Sequence, residues 1–148
     1  MSEMKFWYRE VLSKYADFTG RARRSEYWYF TLFNLLVVIA AIAIGGGTVG
    51  FYGDGIGMPI FWAIYGFVIL YSLAMLIPSL AVTVRRLHDT GRSGWWYLLS
   101  FVPFGTLLLL YFFVVEGDYG PNAYGPDPKD LDDLDNRIDE LYEDGGAY

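Results

Sequence analysis

Three long stretches of this chain, residues 27–53, 55–84 and 93–115, contain no Asp, Glu, Lys or Arg, and charges crowd the gaps between them. At 1.5 Å per residue, roughly 20 apolar residues cross the ~30 Å hydrocarbon core of a bilayer. Each stretch is long enough. A helix of a soluble domain needs a polar face, and these have almost none. The pattern predicts an all-α integral membrane protein, a three-span transmembrane helical bundle with spans at about 26–44, 59–84 and 95–115.

The flanks add two further elements. Within residues 4–18, Trp7, Tyr8, Val11, Leu12, Tyr15 and Phe18 recur at helical spacing, and Lys5, Arg9, Glu10, Lys14 and Asp17 take the other face. This fits an N-terminal interfacial amphipathic helix; the alternative is a helix packed on the rest of the protein. Gly20 breaks it, Ser25 is a good N-cap, and Glu26 suits the positive end of the next helix dipole. After span three, the turn-rich run 116–128 leads to an acidic C-terminal helical tail over 129–148. Asp127, Pro128 and Asp130 read as its cap, first-turn proline and third-position acid. Leu131, Leu134, Ile138 and Leu141 form a docking stripe, too short to hold a helix alone. The domains expected are a membrane domain, 1–128, and this tail.

Punctuation inside the apolar stretches shapes the spans. Gly45, Gly46 and Gly47 end span one, the loop to Met58 is glycine-rich, and Pro59 opens span two. Pro78 lies inside span two and frees the carbonyl of Ala74. Ser72, Ser79 and Thr83 share a face suited to helix packing, as do Tyr27, Thr31 and Asn34 in span one. Pro103 and Gly105 interrupt span three, which measures about 31 Å if unbroken. The expected result is a kink; the rival is a re-entrant hairpin, with about ten residues per leg.

Composition narrows the chemistry. The hydrophobic fraction is 54% and the aromatic fraction 20%, with Tyr27, Trp28 and Tyr29 opening the first stretch and Trp95, Trp96 and Tyr97 the third. Such rings prefer the headgroup level. The first apolar run begins too far in, and is too long, for a signal-peptide core. With no cysteine and one histidine, the usual Cys/His zinc cages are excluded and no thiol nucleophile exists. No metal and no cofactor is expected. The net charge of −6 conceals an asymmetry. Residues 1–26 carry six basic groups and 85–94 carry three, while 45–58 carry none and the tail from Glu116 holds eleven acids. By the positive-inside rule both basic segments, and so the N-terminus, are cytoplasmic. With three full spans the tail lies outside; with a re-entrant third segment it lies inside. An extended basic surface with interleaved aromatics is lacking, so nucleic acid is not an expected partner.

The candidate site is the polar cluster of these two basic segments: Arg21, Arg23, Arg24 and Glu26 before span one, and Arg85, Arg86, His88, Asp89 and Arg92 after span two. In a bundle they converge at one interface, with Glu26 expected to pair with Arg86 or Arg92. The structural reading is a set of ion pairs at the membrane surface. The functional one is a surface for lipid headgroups, since each basic residue near an anionic leaflet gains about 1 kcal/mol. Catalysis by His88 and Asp89 lacks an accompanying nucleophile or metal set, so no enzyme is expected. A transporter or channel is a further class, but no charged residue lies mid-span.

Here the chain resembles a known family. Residues 18–28, FTGRARRSEYW, are similar to the opening signature of the bacterial inner-membrane family called domain of unknown function 805, the YhaH-like proteins. Residues 86–96, RLHDTGRSGWW, resemble its second signature, and 122–128, NAYGPDP, its third. The resemblance covers roughly residues 5–128 and implies a multi-pass location in the bacterial cytoplasmic membrane. The family has no assigned activity. The functional expectation is a small binding or scaffolding component of the membrane, its partners being membrane lipids and a protein partner or a second copy. The alternative is a lipid- or small-solute-handling protein acting through the cytoplasmic-side arginine cluster.

Overall fold

The computed structural model describes residues 2–130, so the stripe of Leu131, Leu134, Ile138 and Leu141 lies outside the described residues. The helices are α1 (Ser2–Ser13), α2 (Arg24–Asp89), a 3₁₀ helix (Gly94–Phe101) and α3 (Gly105–Val114). Among the described residues there is no strand, only an isolated bridge between Asn122 and Gly125. The chain forms two compact units, one of Met1–Asp17 with Trp28–Ala81, the other of Phe18–Tyr27 with the chain from Val82 onward.

The expected loop at 45–58 is corrected by α2, which stays helical through the glycine run and breaks its dihedrals only at Gly53 (φ 67°, ψ −169°). The glycines before and after that break keep their backbone groups in the helical ladder. The left-handed φ at the break needs a residue without a Cβ. Two arms result, residues 24–52 and 54–89, about 43 and 54 Å long, each exceeding the ~30 Å hydrocarbon core. Pro59 lies inside the second arm and does not open it.

In the first unit the two arms pack antiparallel. A Cβ on Gly57 would lie 2.6 Å from the Thr48 carbonyl oxygen and 2.8 Å from the Val49 Cα, so glycine there permits close backbone approach. Further along, Tyr71 donates its hydroxyl to Asn34 Oδ1 at 2.6 Å, while Asn34 Nδ2 donates to the Phe30 carbonyl at 2.8 Å. Asn34 is thereby satisfied from both arms. In lipid, where apolar burial drives little association, such bonds and close small-residue contacts hold helices together. From α1, Tyr8 stacks on Phe30 and tilts against Phe33, while Val11 is fully buried and Phe6 is 59% exposed. Pro78 sits inside α2, and Tyr15 donates to the Ala74 carbonyl, four residues before it, at 2.5 Å. The acceptor that proline orphans is thus recovered by a side chain.

In the second unit the interruption expected at Pro103 and Gly105 is present, and it is a break instead of a kink in one helix: a 3₁₀ helix of eight residues is followed by an α-helix of ten, with Val102, Pro103 and Phe104 between them. Phe104 occupies the left-handed region (φ 63°), uncommon for a bulky side chain. The two legs pack together so tightly that a Cβ on Gly105 would lie 2.0 Å from the Leu99 carbonyl oxygen. Leu109, Phe112 and Phe113 of α3 bury against Leu87 of α2, with Tyr27, Tyr97 and Leu99 packed around them.

Candidate functional site

All nine residues of the polar cluster belong to the second unit, where the approach to α2, the end of α2 and the turn after α3 meet. The main chain makes the first links. Ala22 donates its N–H to the Arg85 carbonyl at 3.1 Å, and Asp118 donates to the Asp89 carbonyl at 2.8 Å. Side chains then close the knot.

Asp89 is its centre. Its Oδ1 accepts from Arg21 Nε at 3.0 Å and its Oδ2 from Arg86 Nη1. The remaining donors of Arg21 reach the Gly120 carbonyl at 2.6 Å and the Asp118 carbonyl, and Arg86 Nη2 reaches the Val115 carbonyl. These side chains are withdrawn from solvent: Arg21 is 1%, Arg86 0% and Asp89 6% exposed. A guanidinium presents a planar fork of donors, so one arginine can hold a carboxylate and two carbonyls at once. A lysine could not reproduce that geometry.

The other members are engaged around this centre. Arg23 donates to the Pro128 carbonyl. Arg24 reaches Glu116 at 3.0 Å and is half exposed. Glu116 also binds Lys129, whose bonded ammonium, with Arg24 beside it, holds the Glu116 carboxyl below the usual carboxylate range. His88 Nδ1 lies 3.1 Å from the Gly20 carbonyl oxygen, and its ring stacks on Tyr124 at 3.9 Å with planes 5° apart. Arg92 donates to the Thr90 carbonyl at 2.6 Å and lies 3.8 Å above the Phe112 ring, a cation–π contact.

The expected pairing of Glu26 with Arg86 or Arg92 is corrected: the structure pairs Glu26 with Arg85 at 3.0 Å, both side chains buried. Adjacent residues on a helix point about 100° apart. Arg85 takes the side facing Glu26, and Arg86 turns to Asp89 and Val115. Arg85 is held by charge more than by aligned bonds, since its Nε, Nη1 and Nη2 have no hydrogen-bond acceptor among the described residues.

Several partners lie outside the expected cluster. Asn122 donates to the His88 carbonyl at 2.9 Å, which fixes the turn that carries Tyr124. Asp127 accepts from the Gly120 N–H at 3.1 Å and from the Lys129 N–H at 3.0 Å, the second bond being that expected of a helix N-cap. The signal for these residues was the turn-rich 122–128 motif itself. Its contacts to His88 and Arg23 cross 34 and 105 positions of chain, and no local pattern encodes them.

The site encloses a small cavity. Arg21, Arg23, Arg24 and Lys129 line it, and so do Asp89, Glu116, Asp118 and Asp127. Four cations thus face four carboxylates, and the cavity offers no net charge to an anion. Chemically the arrangement can cross-link three segments of backbone; it presents no activated nucleophile.

Comparison with known proteins agrees with this frame. Residues 15–126 match the family described as protein of unknown function, DUF805. Over 124 residues the chain is 48% identical to inner membrane protein YhaI of Escherichia coli (strain K12), covering 83% of this chain and 95% of that protein. It is 42% identical to inner membrane protein YhaH of the same strain, covering 83% and 96%. No solved structure matches it. With the matched region running from the end of α1 to the turn that closes the arginine knot, the chain belongs to the DUF805 family, as do these two inner membrane proteins.

Proposed function

We propose that this protein is a small binding or scaffolding component of the bacterial inner membrane, working by association and not by catalysis. It crosses the bilayer through the two arms of α2, with its N-terminus cytoplasmic. The basic groups at and before the start of the first arm and at and after the end of the second, and their absence where the arms meet, support this orientation. α2 is long and apolar enough to cross, and two relatives are named inner-membrane proteins.

One observation carries the functional reading: the arginines of the signature segments are engaged inside the protein. Arg21 and Arg86 donate to Asp89 and to three backbone carbonyls, and the cavity beside them is balanced in charge. An anion-binding site needs donors free to turn outward. Here the cations fix a rigid platform at the membrane surface, and a partner protein or a second copy recognises what it displays.

Native mass spectrometry from mild detergent tests this. A second copy or a distinct protein is expected to remain bound. The half-exposed variant Arg24→Gln should leave the bound lipid unchanged. An unaccompanied monomer that carries one anionic lipid, lost in Arg24→Gln without loss of thermal stability, would favour lipid handling instead.

A further inference from the structure

We infer that residues 94–115 form a re-entrant wedge, which enters the bilayer, turns among the acyl chains of a single leaflet, and returns to the side it left. This rests on the membrane reading above and specifies what the third apolar stretch contacts: lipid chains of the leaflet adjoining the arginine knot.

Four observations in the second unit converge on this. The first is where the segment ends. Gly94 lies against Val84, where a Cβ would come within 2.7 Å of its Cγ1. At the other end the Val115 carbonyl accepts from Arg86, and Asp118 N–H bonds Asp89. Entry and exit therefore both lie at the same end of α2, whereas a full span would part them by ~30 Å.

The second is length. Eight 3₁₀ residues at ~2.0 Å rise extend about 16 Å, and ten α-helical residues at 1.5 Å extend about 15 Å. Each leg matches half of the hydrocarbon thickness. The third is composition and exposure. Residues 93–115 carry no charge, and the turn displays Phe101 at 81% and Phe104 at 83% exposure. Trp95, 78% exposed, stands at the base, where the headgroups would lie.

The fourth is hydrogen bonding at the turn, the place where lipid is least forgiving. Val102 donates to the Leu99 carbonyl at 3.0 Å, Gly105 to the Val102 carbonyl at 2.9 Å and Leu107 to the Phe104 carbonyl at 3.1 Å. Pro103 has no N–H to satisfy. A turn built this way suits hydrocarbon, and its apolar side chains have no role in water.

The chain has no cysteine, so single cysteines report without background. In intact cells and in inverted vesicles, an impermeant maleimide is applied to Ser93→Cys, Tyr119→Cys and Asp54→Cys. Positions 93 and 119 are expected to label from the same side as each other, and 54 from the opposite side. Labelling of 93 and 119 from opposite sides overturns the wedge. If 93 and 119 agree but reverse, the wedge stands and only the proposed orientation fails. A spin label at Phe104→Cys, and separately at Phe101→Cys, measures depth in liposomes. Relaxation by oxygen is expected to exceed that by a water-soluble nickel chelate several-fold at both positions, with the reverse at Tyr119→Cys. Nickel dominance at both 101 and 104 would put the turn in water and overturn the proposal.

Discussion

Asp89→Ala should cost about 3–5 kcal/mol of stability, the range for removing one partner of a buried ionic cluster. Asp89 is the carboxylate shared by Arg21 and Arg86, both almost wholly buried. Without it two guanidiniums keep their charge and lose their counter-ion. Arg24→Ala should cost less than about 1 kcal/mol, because the Arg24–Glu116 pair is half exposed and screened by water. Unfolding in mixed detergent micelles, followed by far-UV circular dichroism, measures both. Restoring part of the lost stability with Arg86→Met in the Asp89→Ala background would show that the cost is the stranded charge. Equal effects of Asp89→Ala and Arg24→Ala would mean that Asp89 is not the centre of the knot.

Gly105→Ala is expected to cost about 3 kcal/mol, at the upper end of ordinary overpacking. The added Cβ would stand 2.0 Å from the Leu99 carbonyl oxygen and 2.9 Å from its carbon. The obstacle is backbone, so no change of side-chain rotamer relieves it. The 3₁₀ helix and α3 must move apart, and the seat of Leu109, Phe112 and Phe113 against Leu87 goes with them. Gly50→Ala is the contrast. Gly50 lies within α2 with open space around it, so alanine there should be neutral or favourable by up to about 1 kcal/mol. The same unfolding assay reads the difference. Equal small effects at 105 and 50 would show that the two legs are not in contact.

The parts of this fold that were legible in the sequence depend on local chemistry in a known solvent. Uncharged stretches become helices because lipid leaves the backbone no other partner. Pro78 announces an orphaned carbonyl at Ala74, and the chain supplies Tyr15 for it. Asp127 before Pro128 reads as a cap and acts as one toward Lys129.

The failures have equally physical causes. Gly45, Gly46 and Gly47 carry the turn chemistry of aqueous proteins, whereas in an apolar segment they remain helical. Pro103 and Gly105 signalled a break, but whether a break is a kink or a reversal depends on how closely its two legs can pack, as Gly105 and Leu99 do. The polar cluster was legible as a cluster because its charges flank the spans. Its wiring was not. The rotation of one helix decides whether Arg85 or Arg86 meets Glu26, and Gly120 comes to Arg21 from 99 positions away.

The central claim is that the signature arginines are bound from within. It is tested most directly by the Nε–H resonance of Arg21 in nanodiscs. Arg21 Nε donates to Asp89 at 3.0 Å in a side chain 1% exposed. Its proton should exchange slowly with water, and its chemical shift should hold when zwitterionic lipid is replaced by anionic phosphatidylglycerol. Fast exchange, or a shift that follows the anionic lipid content, would contradict the account and make the knot a lipid-binding site.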